Sequence, residues 1–159
     1  MSSARSGVTG FVHVGLVVED LEETVRFLAL LGFDCGEPMV LSGEWIDRIV
    51  DLEHVTVEVA MARTPDGSDA FELVRFQSPS AGAPAPAPAA NRPGLRHVAF
   101  AVHDVRGVVD RVRAAGWDTL GEIVDYEGIY LLCYVRGPDG LIVELAERLD
   151  GASRETDAR

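Results

Sequence analysis

The sequence contains no lysine, so all 14 basic residues are arginine. Against 26 acidic residues they leave a net charge of −12. Such a surface repels phosphate backbones and anionic lipid, which excludes nucleic acid and membrane surfaces as natural partners. There are only two cysteines, Cys35 and Cys133, and no CxxC. This excludes a zinc-cysteine site and reads as two reduced thiols in a reducing compartment. No apolar run approaches the roughly 20 residues that cross a bilayer. Residues 1–10 lack the apolar stretch of a signal peptide. The expected location is the cytoplasm.

What is present is an ordinary globular composition, 47% hydrophobic and 25% charged over 159 residues, enough for one domain with a sizeable core. Within it lies an internal repeat. Residues 11–34 read FVHVGLVVEDLEETVRFLALLGFD, and residues 95–118 read LRHVAFAVHDVRGVVDRVRAAGWD. His13 matches His97, Asp20 matches Asp104, Gly32 matches Gly116 and Asp34 matches Asp118, each pair 84 apart. Further on, Pro65-Asp66-Gly67 precedes Phe71-Glu72-Leu73, and Pro138-Asp139-Gly140 precedes Val143-Glu144-Leu145. The glutamate follows the proline by 7 residues in the first copy and by 6 in the second.

The repeat divides the chain into an N-terminal tail (1–10), a first unit (11–77), a separator (78–94), a second unit (95–148) and a C-terminal tail (149–159). The separator holds five of the eight prolines. Alternating Ala-Pro favours extended polyproline II, so it reads as a stiff, exposed spacer. The polar C-terminal tail should be frayed.

Period and punctuation predict the elements of each unit. Residues 11–18 form a β-branched strand. Asp20 then caps a helix, with Glu23 three residues on and Gly32 as its stop. Asp104 and Gly116 do the same in the second copy. Three strands follow, near 34–41, 54–63 and 69–76, then near 118–125, 129–136 and 140–147. The expected class is α+β, two tandem βαβββ modules pairing into a half-open curved sheet.

Strand alternation then assigns faces. Val12, Val14, Leu16 and Val18 should meet the helix, which turns His13 the other way. Val98, Phe100 and Val102 do the same for His97. Phe71 and Leu73 flank Glu72, while Val143 and Leu145 flank Glu144. Glu144 should share the concave face with Ile142 and Ala146. Two imidazoles and two carboxylates thus occupy equivalent positions. A carboxylate in a closed concavity costs several kcal/mol unless its charge is compensated. No lysine does so, and Arg75 and Arg96 alternate onto the other face. A divalent cation held by His13, Glu72, His97 and Glu144 is the economical answer. That donor set suits Zn, Ni, Co, Mn or Fe. The connection LSGEWIDRIVDLEH is read as a lid. Trp45 within it, and Tyr126 and Tyr130 around Gly128, are candidate substrate-binding residues; edge packing or a structural aromatic pair accounts for them equally.

These motifs resemble the vicinal oxygen chelate superfamily, which includes glyoxalase I, methylmalonyl-CoA epimerase, extradiol dioxygenases, fosfomycin-resistance enzymes and bleomycin-binding proteins. The resemblance runs through FVHVGLVVEDLEETVRFLALLGF, PDGSDAFELVRF, GLRHVAFAVHDV and GPDGLIVELAE, about residues 11–148. It implies a metal ligand at His13, Glu72, His97 and Glu144. The fourth ligand, Glu72, favours the glyoxalase I and epimerase branch. That implies a metal-dependent lyase or isomerase moving a proton next to a carbonyl, through a metal-stabilised enolate or enediolate, with Glu144 and Glu72 as acid–base groups. The substrate would be small, with vicinal oxygens or a carbonyl. A ring-cleaving dioxygenase on the same metal, or a non-catalytic protein that sequesters a small molecule or antibiotic, are the alternatives. A homodimer is the expected assembly, and the repeat is satisfied by a site within one chain or by one shared between two.

Overall fold

The computed structural model describes residues 7–83 and 85–149. The first module runs through β1 (Val14–Val17), α1 (Leu21–Leu30), β2 (Asp34–Cys35), β3 (Met39–Ser42), α2 (Glu44–Val50), β4 (Thr56–Arg63) and β5 (Asp69–Ser78). The second runs through β6 (Val98–Ala101), α3 (Val105–Ala114), β7 (Asp118–Thr119), β8 (Val124–Tyr126), β9 (Tyr130–Arg136) and β10 (Ile142–Arg148). Each builds its own mixed sheet, ordered β1-β5-β4-β2 with β3 also on β4, and β6-β10-β9-β7 with β8 also on β9. The β1–β5 and β6–β10 pairs are parallel, and the rest are antiparallel. The α+β class and the two βαβββ modules are as expected from the sequence. Among the described residues, no strand of one sheet pairs with a strand of the other. No helix is long and apolar enough to cross a membrane. The C-terminal tail from residue 150 lies outside the described residues.

Both helices start and stop by the same devices. The Asp20 carboxylate accepts a hydrogen bond from Glu23 N at 2.9 Å, and Asp104 accepts one from Gly107 N at 2.9 Å. At the far end of α1, Gly32 at φ +99° donates to Ala29 O while Phe33 N reaches back to Leu28 O. Gly116 and Trp117 repeat this pair of bonds on Arg113 and Val112. That double bond pattern requires a left-handed residue after the helix, which glycine adopts at least cost. The two caps differ in one respect. Asp104 itself is left-handed, at φ 56°, and a side chain at 107 would collide with its carboxylate. Glycine therefore stands at 107 where the first copy has Glu23.

One core is shared by both modules. It joins Leu21, Phe27, Leu28, Phe71 and Leu73 to Val105, Val109, Val112, Val135, Val143 and Leu145. Aromatic contacts stitch the seam: Phe27 meets Trp117 at 5.2 Å between ring centroids, and Phe100 meets Phe33 at 4.8 Å and Phe71 at 5.6 Å. Asp139 adds a polar latch by accepting Glu19 N at 3.0 Å across the modules. The equivalent Asp66 folds instead onto its own turn, accepting Ser68 N at 2.8 Å and the Thr64 hydroxyl at 2.6 Å. A cleft of about 600 Å³ remains beside it, against about 180 Å³ beside the latched turn.

Several expectations are corrected. Val12 does not meet the helix: it is exposed, because β1 begins only at Val14. The strand expected at 34–41 breaks at Gly36-Glu37-Pro38 into β2 and β3, since proline removes a ladder donor. The strand expected at 118–125 likewise breaks into β7 and β8. The expected lid loop contains a two-turn helix, α2, too short for periodicity to announce it. Asp47 ties its far end down by accepting Val55 N at 2.8 Å and His54 N at 3.0 Å. Ile46 on its inner side joins Val55, Val57, Val59, Leu41, Val74 and Phe76 in a second, smaller core on the opposite face of the first sheet. The separator is more than a spacer. Arg136 donates to Pro88 O at 3.5 Å, and Ala87 packs against Gly140. Ile142, on the same strand face as Glu144 as expected, is buried and lines the same small cleft as Pro88.

Two stability predictions follow from this packing. A Cβ on Gly137 would lie 2.5 Å from the fully buried Phe27 ring. Gly137→Ala should cost about 1–3 kcal/mol in urea unfolding, as overpacking of a tight core does, while Gly15→Ala, with open space around it, should cost little. Ile46→Ala should remove about 2–4 kcal/mol of local packing. Amide hydrogen exchange should then accelerate across residues 44–55 and stay slow in α1 and α3; uniform acceleration would mean α2 is integral to the main core.

Candidate metal centre

Each candidate ligand is placed by a strand whose alternate residues are held in the core. In β5, Phe71 and Leu73 are fully buried and Glu72 between them points away from the core. Parallel pairing sets Gly15 opposite Glu72, so His13, two residues earlier, is its diagonal neighbour on the same face. The absence of a side chain at Gly15 leaves the space between them open. His13 Nε2 lies 3.3 Å from Glu72 Oε2. The second module repeats the construction. Val143 and Leu145 are buried, Glu144 stands opposite Ala99, and His97 Nε2 lies 3.2 Å from Glu144 Oε2.

The four residues therefore meet as two His–Glu pairs. Among the described residues, no group of three or more His, Cys, Asp or Glu side chains converges on one point. Each pair lies on the face of its sheet turned away from the shared core. The side chains are partly open, with relative exposures of 31% and 37% for His13 and Glu72, and 39% and 18% for His97 and Glu144. The desolvation cost of each carboxylate is thus smaller than a closed cavity would impose.

The spacing within each pair fits a common metal ion. Zn–N and Zn–O bonds of about 2.0–2.2 Å put adjacent ligand atoms about 2.8–3.6 Å apart, depending on coordination number. The observed 3.3 and 3.2 Å fall in that range. One imidazole nitrogen and one carboxylate oxygen make half of the four-ligand set expected from the sequence. Arg75 is engaged elsewhere, 3.2 Å from Glu58, and does not compete for Glu72. Cys35 and Cys133 are free thiols, and burial pushes both above the ordinary thiol range.

Among the described residues, none of the remaining candidates bonds to either pair, and register places Tyr126 and Tyr130 on the face of the second sheet that carries Glu144. Trp45 sits on the outer side of α2, 59% exposed. Tyr126 and Tyr130 face each other across the β8–β9 hairpin, whose turn is closed by Gly128 N donating to Asp125 at 2.7 Å. His54 spends its backbone N–H on Asp47, and His103 lines the larger cleft.

Sequence reasoning missed Tyr134. Its hydroxyl lies 3.5 Å from His97 Nε2, its ring packs on the imidazole at 4.9 Å, and strand pairing sets it opposite Glu144. Desolvation raises its phenol above the ordinary value, and the Glu144 charge and hydrogen bond add to the rise. The signal was available in the hairpin register. Gly137 N donates to Leu141 O and closes the β9–β10 turn, so three residues back and three forward set Tyr134 against Glu144. The equivalent partner of Glu72 on β4 is Met61.

The fold has known counterparts. A glyoxalase family protein from Bacillus cereus is 35% identical, superposes with a TM-score of 0.85, and is matched over 93% of this chain and 99% of its own. The trypanothione-dependent glyoxalase I of Leishmania major shares the fold at 20% identity and a TM-score of 0.58, over 88% of this chain and 87% of that one. A fosfomycin resistance protein from Listeria monocytogenes, solved with Mn(II) and sulfate, does so at 16% identity and 0.53, over 89% and 93%. No curated protein matches the chain by sequence. The family model for the Glyoxalase/Bleomycin resistance protein/Dioxygenase superfamily matches residues 12–134, a span that takes in His13, Glu72, His97 and Tyr134, and the chain belongs to that superfamily.

Proposed function

We propose that the protein is a divalent-metal-dependent lyase or isomerase that moves a proton next to the carbonyl of a small substrate, at a site shared by two copies of the chain. The observation that carries this reading is the pair of equivalent His–Glu half-sets, each with the spacing of adjacent ligands on one ion. His13 and Glu72 of one copy would complete His97 and Glu144 of the other. A homodimer of this kind has twofold symmetry, so it forms two such sites. The apolar surface beside the pairs supports association. Phe11, Val12, Val17 and Leu95 flank the two histidines in sequence and are all at least 65% exposed. Large apolar side chains left this exposed are available to an interaction surface.

His13, Glu72, His97 and Glu144 would hold the ion, which when bound polarises the substrate carbonyl as a Lewis acid. The proton work belongs to the chain. Glu144 is the first candidate to accept the proton from the α-carbon and return it. Glu72, arriving from the other module, would address the opposite face of the planar intermediate. A branch with four protein ligands fits proton transfer between two carboxylates, and the 35% identical relative is itself a glyoxalase family protein.

Two measurements test this. Natively purified protein should carry about one divalent ion per chain and run as a dimer. His13→Ala and His97→Ala should each lose the metal. Refolded as an equal mixture, they should regain about a quarter of wild-type metal content, because half the dimers would be mixed and each would hold one intact site. A mixture that stays empty sinks the shared site. Glu144→Gln should keep much of the metal yet slow α-proton exchange with solvent deuterium by about 10²–10⁴-fold for a small α-hydroxy ketone that the wild type turns over. Unchanged exchange would remove Glu144 from the proton-transfer role.

A further inference from the structure

The two half-sites share the same His–Glu construction and differ in the residue across the hairpin from the glutamate. It is Tyr134 in the second module and Met61 in the first. Met61 shows that the fold accepts an aliphatic thioether in that slot. A tyrosine there is not demanded by packing: Tyr134 stands on the face away from the core, between the buried Cys133 and Val135. Its ring and its hydroxyl are both committed to ligand-set residues. The ring lies against the His97 imidazole, tilted 38°, the hydroxyl lies 3.5 Å from His97 Nε2, and Tyr134 is the residue paired with Glu144 across the hairpin.

The geometry points to Tyr134 as a positioning residue that fixes the ring orientation of His97 and the carboxylate orientation of Glu144, making the second module the pre-organised half of the site. This rests on the metal-binding reading above for its consequence, but not for its geometry. A free His–Glu pair that is partly exposed samples several rotamers, and each must be frozen when an ion arrives. Ring contact removes that freedom from His97. The phenol O–H is a donor beside the His97–Glu144 pair. When His97 Nε2 turns its lone pair to an ion, the hydroxyl would turn to the Glu144 carboxylate, satisfying one oxygen and leaving the other free to ligate. Outer partners of this kind typically contribute about 10–100-fold to metal affinity. The first half-set has no such support, so Glu72 is the less constrained of the two carboxylates.

The test compares wild type with Tyr134→Phe, which keeps the ring and removes the hydroxyl, Tyr134→Leu, which removes both, and Met61→Leu as the mirror-position control. Thermal unfolding first checks that each is folded. Co(II) titration, followed by visible absorption, should show Tyr134→Phe about tenfold weaker and Tyr134→Leu weaker still, with Met61→Leu within about twofold of wild type. Independently, the metal-free proteins should show His97 ring ¹⁵N and Glu144 carboxyl ¹³C shifts displaced by Tyr134→Phe and unmoved by Met61→Leu. Wild-type Co(II) affinity in Tyr134→Phe overturns the proposal, whatever the shifts do. A wild type that binds no Co(II) sinks the metal reading instead; the metal-free shifts then decide Tyr134, and unmoved shifts overturn its role.

Discussion

Phe71 and Leu73 are fully buried, and Glu72 stands between them; Val143 and Leu145 are buried, and Glu144 stands between them. Strand alternation allows no other outcome, because a one-residue slip would expose four large apolar side chains and bury two carboxylates. Burying one such side chain contributes about 1.5–3 kcal/mol, so the register is held by several times the energy of any single polar contact at the pairs. The same logic holds His13 and His97 just ahead of Val14 and Val98, whose side chains pack on the core. The polar residues of the candidate centre are thus positioned by what lies behind them. Their own contacts, at 3.3 and 3.2 Å, are consequences of the core rather than its cause.

The repeat is faithful where the core needs it and unfaithful elsewhere. Glycine stops and parallel strand pairs recur with the same geometry. The turns between the last two strands do not. The first is one residue longer, and its aspartate closes on Ser68 and Thr64. The second turn extends its aspartate to Glu19 N and is covered by Ala87 and Pro88. One end of the module seam is therefore latched and filled, and the other is left open. The first sheet also carries α2 over its outer face, with Ile46 sealing a second small core. Half-sites that began as copies consequently sit in different surroundings.

The modules, their order and the facing of all four ligands were legible in the sequence, because each depends on local periodicity reinforced by the 84-residue offset. Val12 and α2 were not legible, for opposite reasons. Val12 continues the apolar alternation of its strand, yet nothing pairs that far out, and pattern alone does not say where pairing ends. The segment Glu44–Val50 is helical with no side-chain cap at Gly43, so its start carries no signal. Tyr134 was hidden differently. Its place beside His97 and opposite Glu144 depends on the register of one hairpin, which alternation within a single strand does not disclose. Nor does alternation reveal that the two pairs lie apart within one chain. It assigns a face to each residue and is silent on how two sheets are set against each other.

That separation bears on energetics. On the shared-site reading, assembling a centre brings Glu72 of one copy toward Glu144 of another, between chains that each carry a charge of −12. Two carboxylates a few ångströms apart repel, and the chains repel at longer range under low salt. The exposed Phe11, Val12, Val17 and Leu95 supply apolar attraction against this, and a divalent cation removes the local repulsion at its source. Association and metal binding are then linked equilibria. An ion that prefers the completed four-ligand set over an isolated pair stabilises the dimer by the same factor by which dimerisation raises metal affinity. On the positioning role proposed for Tyr134, that linkage is tilted toward one module, because a half-set already ordered around His97 loses less freedom when the second copy arrives.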